Sequence, residues 1–220
     1  MIFTNCGKIG DFILTWPVAS YYFKKFNEKI TFVLAEDIPH ADACDSLLRH
    51  QDFTEDIIIS QHKKYWGLGG QPYVFNPKTY GIEGEYINLG ISEFPNIHFT
   101  DYYGMKTNLG VDNEYRIKIP TNNSINLDDI KDKICVFNDY GIIGKHLDLS
   151  DEKYHVLDFS NDMAYNAYIA KNSKAVISTF SASSILADWG NFPNYTCYIP
   201  KDKMHLPRFY SKNTKDFIPY

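Results

Sequence analysis

The chain has no run of lysine or arginine longer than two, no C-x-x-C pair and no stretch approaching the ~18 consecutive apolar residues needed to span a bilayer. With 27 acidic against 22 basic residues the formal charge is −5, which argues against a nucleic-acid backbone as partner. Cys6, Cys44, Cys135 and Cys197 are widely spaced and read as reduced thiols, three of them in or beside apolar runs, as expected of a cytoplasmic protein. A basic region followed by an apolar signal segment is also missing, so the protein is expected to stay inside the cell without a transmembrane segment, which leaves peripheral membrane contact open. The seven histidines form no H-x-x-x-H or H-E-x-x-H pair, and no metal is expected. G-x-S-x-G, the G-x-x-x-x-G-K-[ST] loop and the G-x-G-x-x-G fingerprint are all absent, which removes the common serine-hydrolase and generic nucleotide-binding patterns.

What is present is a chain rich in material for a core. It is 44% hydrophobic, and its 17 Tyr, 15 Phe and 3 Trp are enough to fill one large domain or two small ones. Strand and helix signals alternate over residues 1–6, 11–26, 30–34, 42–50 and 56–59, a βαβαβ pattern that implies a parallel sheet. Pro17 lies within the first helical segment and removes a backbone donor, so a break is expected after its first turn. Residues 61–90, punctuated by Gly67, Gly69, Gly70, Pro72, Pro77, Gly81 and Gly84, read as a long loop; Lys63, Lys64, Tyr65 and Trp66 are placed to cover a cleft or touch an acceptor, or else belong to a merely structural excursion. Residues 99–109 read as a helix, and a polar stretch beginning at Thr121 suits a domain joint. Alternation then restarts, with strands expected at 134–138, 155–159, 175–178 and 195–199 and helices at 163–172 and 181–189. The expected architecture is therefore α/β, with two Rossmann-like domains, residues 1–120 and 121–220, whose parallel sheets face each other across a cleft.

The most informative segment is Gly7-Lys8-Ile9-Gly10-Asp11, between the first strand and the first helix. Gly7 and Gly10 permit a tight turn and close approach of a ligand, and Asp11 puts a carboxylate at the carboxyl end of a strand, where open α/β sheets bind ligands. Asp11 suits either a helix cap or a general base. Ser181, Ser183 and Ser184 open a helix after a strand and suit either an anion or a cap. Lys145, preceded by glycine at 141 and 144, suits either an anionic ligand or solvent.

Gly7 to Asp11, followed by Phe12-Ile13-Leu14-Thr15-Trp16-Pro17-Val18, resembles the opening of the ADP-heptose heptosyltransferases, the family 9 glycosyltransferases. Weaker similarity runs through residues 98–111, ending Leu109-Gly110-Val111, and through residues 163–172 with Ala175-Val176-Ile177-Ser178-Thr179. Where that family usually has Asp-Thr-Gly-x-x-His, this chain reads Thr179-Phe180-Ser181-Ala182-Ser183-Ser184; a serine-rich turn of this kind is also similar to a Ser-Thr-Phe-Ser element of some fucosyltransferases.

The resemblance implies a GT-B-like enzyme that moves a sugar from a nucleotide-diphosphate donor to a glycan or lipid-linked acceptor, with inversion, without a metal and with no cofactor beyond the nucleotide sugar. It implies Asp11 as general base, Gly7, Lys8 and Gly10 as acceptor or phosphate contacts, and Lys145, Thr179, Ser181, Ser183 and Ser184 at the donor diphosphate. The first domain would take the acceptor and the second the donor. The alternatives are another GT-B enzyme, such as a fucosyltransferase-like protein or a nucleotide-sugar epimerase, or a degenerate module that binds a glycan or protein without turnover.

Overall fold

The apolar run that begins the chain forms strand β1 (Ile2–Asn5), followed by helices α1 (Ile9–Ile13) and α2 (Trp16–Phe26). The computed structural model describes residues 1–5, 9–35, 41–60, 83–89, 96–158, 162–211 and 216–220. The expected break falls between the two helices. Pro17 has no N–H with which to continue α1 and instead occupies the first turn of α2, where that donor is not needed. Thr15 Oγ1 donates to Phe12 O at 2.6 Å and closes the end of α1.

The chain divides into two units, Met1–Tyr115 and Arg116–Tyr220, so the polar stretch at residues 121–124 lies inside the second. In the first unit β2 (Ile30–Ala35), α3 (Ala41–Leu48) and β3 (Thr54–Ser60) complete the βαβαβ run, and β4 (Tyr86–Asn88) and α4 (Phe99–Lys106) follow. The strand order is β3-β2-β1-β4, all parallel. Strand β4 corrects the reading of 61–90 as one continuous loop: its three residues pair with Ile2, Phe3 and Thr4 of β1. Residues 61–82, which include Lys63, Lys64, Tyr65 and Trp66, lie outside the described residues.

The core of this unit is built from rings. Phe32 of β2 meets Phe3, Phe12 and Phe53 edge-on, at centroid distances of 6.0, 5.6 and 5.9 Å, and Trp16 packs on Phe12 and Phe53 at 5.9 and 6.5 Å. All five rings are buried. Such contacts add to the area term because each positive ring edge lies against a negative face.

Two features after α4 tie it to α2. A Cβ on Gly110 would lie 2.4 Å from Tyr21 Cζ on α2, so a side chain in place of the glycine of Leu109-Gly110-Val111 would have to push the half-buried Tyr21 ring aside. Gly110→Ala should cost about 1–3 kcal/mol through overpacking. Thermal denaturation beside Gly144→Ala, whose Cβ would meet nothing nearer than 3.5 Å, checks this; equal stability of the two variants would contradict it.

Asp112 receives Lys24 Nζ at 2.7 Å and Ser20 Oγ at 2.6 Å, both from α2. Burial on its own would raise the Asp112 carboxyl, but those two bonds, the Lys24 charge and the Glu114 N–H together outweigh it and hold it below the ordinary carboxylate range. A lowered folded pKa stabilises the protein above the unfolded value of about 3.9, and that stability is lost as the pH falls through the folded one. Asp112→Asn should therefore cost about 1–2 kcal/mol at pH 7, discounted for the exposed lysine, and much less near pH 3. Denaturant unfolding at both pH values tests this, and a deficit that does not shrink in acid would refute it.

The second unit contains β5 (Ile134–Phe137), β6 (Tyr154–Leu157), α5 (Met163–Lys171), β7 (Ala175–Thr179), α6 (Ala182–Gly190), β8 (Tyr195–Ile199), α7 (Pro207–Tyr210) and β9 (Asp216–Pro219). Strand β9, absent from the expected set, adds an edge to a parallel sheet of order β6-β5-β7-β8-β9. Asp162 caps α5 by accepting the Tyr165 N–H at 3.0 Å, and Asn191, in the left-handed region at φ 50°, ends α6 as Asn27 at φ 51° ends α2. Phe137, Leu186 and Trp189 are fully or almost fully buried in this unit.

Candidate functional site

In an open α/β sheet, ligands bind outside the carboxyl ends of the strands, at the point where the strand order reverses. In the first sheet the order runs from β1 to β2 and β3 on one side and to β4 on the other, so the reversal lies between β1 and β4. The chain leaving β1 leads to Asp11, which stands half-buried in the first turn of α1. A carboxylate there complements the partial positive charge of the helix start. Gly10, beside it, is buried, and its carbonyl accepts the Leu14 N–H at 3.1 Å. Gly7 and Lys8 lie outside the described residues.

In the second sheet the reversal lies between β5 and β7, and two segments converge there. The segment after β5 begins with a turn, Asp139–Gly141, and the segment after β7 leads into α6. Ser181 and Ser183 each donate a hydroxyl to Asp139 Oδ2, both at 2.5 Å. Ser181 Oγ also accepts the Ser183 N–H at 3.3 Å. Ser184 Oγ accepts the Ser181 N–H at 3.2 Å and donates to Ser181 O at 2.6 Å, which completes a capping box. The capping role of the serine turn is thus present in full, and the hydroxyls of Ser181 and Ser183 are turned toward a carboxylate of the same chain.

Thr179, the last residue of β7, is buried, and its Oγ1 has no hydrogen-bond partner among the described residues. Lys145 ends the turn Ile143–Lys145 and is exposed. That turn is held by the Gly144 N–H, which donates to Asn138 Oδ1 at 3.0 Å, and by His146, whose ring stacks on Tyr198 at 5.7 Å and meets Tyr220 at 5.4 Å. The structure therefore brings Ser181, Ser183 and Ser184 together with Asp139 and carries Lys145 on the segment that Asp139 begins, while Asp11 and Gly10 belong to the first unit.

Asp139 is the residue that sequence reasoning missed. It lies 42 residues from Ser181, and only the pairing of β5 with β7 brings the two together. The available signal was its place just beyond an apolar strand, the same signal that singled out Asp11.

The three cysteines among the described residues offer no rival chemistry. Cys44, Cys135 and Cys197 are free and buried; burial pushes the Cys197 thiol up to about 12, Cys135 to about 11 and Cys44 further still. A thiolate nucleophile is not available from these groups near neutral pH. Among the described residues no group of three His, Cys, Asp or Glu side chains is arranged to hold a metal ion, and no helix is long and apolar enough to cross a membrane.

No family model and no curated protein matches the sequence. Solved structures do match in three dimensions. A glycosyl transferase family 9 protein from Veillonella parvula is similar over 100% of this chain and 85% of its own, with a TM-score of 0.61 and 15% identity. The Escherichia coli heptosyltransferase WaaC, solved with ADP, is similar over 100% of this chain and 92% of its own, with a TM-score of 0.59 and 11% identity. The iron-containing dodecameric glycosyltransferase TibC of enterotoxigenic E. coli is similar over 99% of this chain and 62% of its own, with a TM-score of 0.57 and 12% identity. At these identities the likeness establishes the fold: two parallel sheets with helices, as in glycosyltransferases of the GT-B type.

Proposed function

We propose that this chain is a glycosyltransferase that moves a sugar from a nucleotide-diphosphate donor to a glycan or lipid-linked acceptor, with inversion and without a metal. The observation that carries the reading is a fold shared with family 9 transferases over the whole chain, with a carboxylate, Asp11, following β1 at the reversal point of the first sheet. The acceptor belongs to residues 1–120 and the donor to residues 121–220, and the expected cleft between them is part of the proposal. Asp11 takes the proton of the acceptor hydroxyl as that oxygen attacks the anomeric carbon. The bond from that carbon to the diphosphate breaks, and the nucleoside diphosphate leaves with the electron pair. Gly7, Lys8 and Gly10 line the acceptor or phosphate side; Lys145, Thr179, Ser181, Ser183 and Ser184 receive the diphosphate, with the Lys145 ammonium offsetting the charge that develops on it. The work is placed in the cytoplasm, in polysaccharide biosynthesis.

One observation favours a second reading. The hydroxyls of Ser181 and Ser183 are engaged by Asp139, as they would be in a module that binds a glycan or a partner without turnover. A thermal-shift screen against ADP, UDP, GDP and CDP and their sugar conjugates separates the two, because a ligand of the folded state raises its apparent stability. A shift with one nucleotide class supports the transferase; no shift with any supports the module.

A further inference from the structure

We infer that Asp139 is a specificity-determining residue of the second unit, an internal anion that occupies the start of α6 and makes any diphosphate compete with it for the same hydroxyls. This rests on the reading in which the serine turn receives the donor diphosphate. A serine hydroxyl carries one proton to donate, and Ser181 and Ser183 both give theirs to Asp139 Oδ2 at 2.5 Å. Three backbone donors of the turn are engaged as well: the Ser181 N–H reaches Ser184 Oγ at 3.2 Å, the Ser183 N–H reaches Ser181 Oγ at 3.3 Å and the Ser184 N–H reaches Ser181 O at 3.1 Å.

A phosphate arriving at this turn meets two hydroxyls and three N–H groups already engaged, and a like charge. To bind, it must turn two hydroxyls away from the carboxylate and leave Asp139 beside it, repelling it. The helix start already has the negative group that its dipole favours, supplied across the β5–β7 reversal by the chain itself. Asp139 thereby lowers affinity for the diphosphate and favours its release. It also biases the turn toward ligands that present hydroxyl groups, which a carboxylate accepts as it accepts these two serines.

The test is titration calorimetry of inorganic pyrophosphate, in buffer free of divalent ions, into the wild-type chain and Asp139→Asn. The amide keeps the shape, removes the charge and adds N–H donors, so the variant should bind pyrophosphate at least about tenfold more tightly. Asp139→Ala, which removes the carboxylate without adding a donor, should also bind more tightly than wild type. Circular dichroism identifies whichever variant has kept its fold. Measurable wild-type binding with equal or weaker binding by the folded variant would overturn the inference and leave the diphosphate reading standing. Absence of binding to wild type and folded variant alike would overturn both.

Discussion

Asp11→Asn should lower the kcat of sugar transfer by about 10²–10⁴-fold with donor KM little changed. The attacking oxygen becomes a good nucleophile only as its proton leaves, and an amide has no basic oxygen to take it. The substitution preserves shape, and Asp11 lies in the first turn of a five-residue helix whose buried side is formed by Ile9, Phe12 and Ile13 together with Gly10, so the fold should survive the change. Since the donor is assigned to the other unit, its ground-state binding should not depend on this carboxylate. The split between kcat and KM distinguishes a base from a structural carboxylate, whose loss would lower stability or raise KM. A variant whose kcat stays within about threefold of wild type would remove Asp11 from the mechanism.

Phe32→Ala should cost about 3–5 kcal/mol in denaturant unfolding, the range for truncating a buried aromatic ring in a packed core. Phe32 sits on β2 beside β1 and holds together rings from three elements of the chain: Phe3 from β1, Phe12 from α1 and Phe53 from the approach to β3. Its loss opens a cavity under the helix that carries Asp11, and the neighbouring rings, at 0–2% exposure, have little room to close it. Phe32→Leu keeps most of the volume and should cost well under half as much. A loss below about 1 kcal/mol for the alanine variant would show that the ring cluster relaxes freely and does not act as a rigid base for α1.

Much of this fold was legible because buried parallel strands and their crossover helices leave apolar runs of the proper length, bounded by polar or glycine-rich turns. Strands β2, β3 and β5 to β8 each announce themselves this way, as does the break at Pro17. Strand β4 did not. Its three residues are all half-buried, follow Gly81 and Gly84, and are too few to show a period. Strand β9 is short, mostly exposed and contains Pro219, which an edge strand tolerates but a pattern search discounts.

The candidate site divides along the same line. Asp11 and the serine turn are local: a strand, a turn and a helix start lie consecutively in the chain. The partner of the serines is not. Asp139 reaches Ser181 and Ser183 through the order of strands in a sheet, which no spacing in the sequence records. That order also explains why the serines, read as open to an anion, are found bonded to one.

Sugar transfer with Asp11 as base has a direct consequence in the turnover of nucleotide sugars. Its most direct test is the release of nucleoside diphosphate from ADP-, UDP-, GDP- and CDP-sugars incubated with glycan and lipid-linked acceptors, for the wild-type chain beside Asp11→Asn. Acceptor-dependent release from one donor class by the wild type, nearly lost in the variant, is the expected result. Donor binding without any release, or equal release by both proteins, would contradict it.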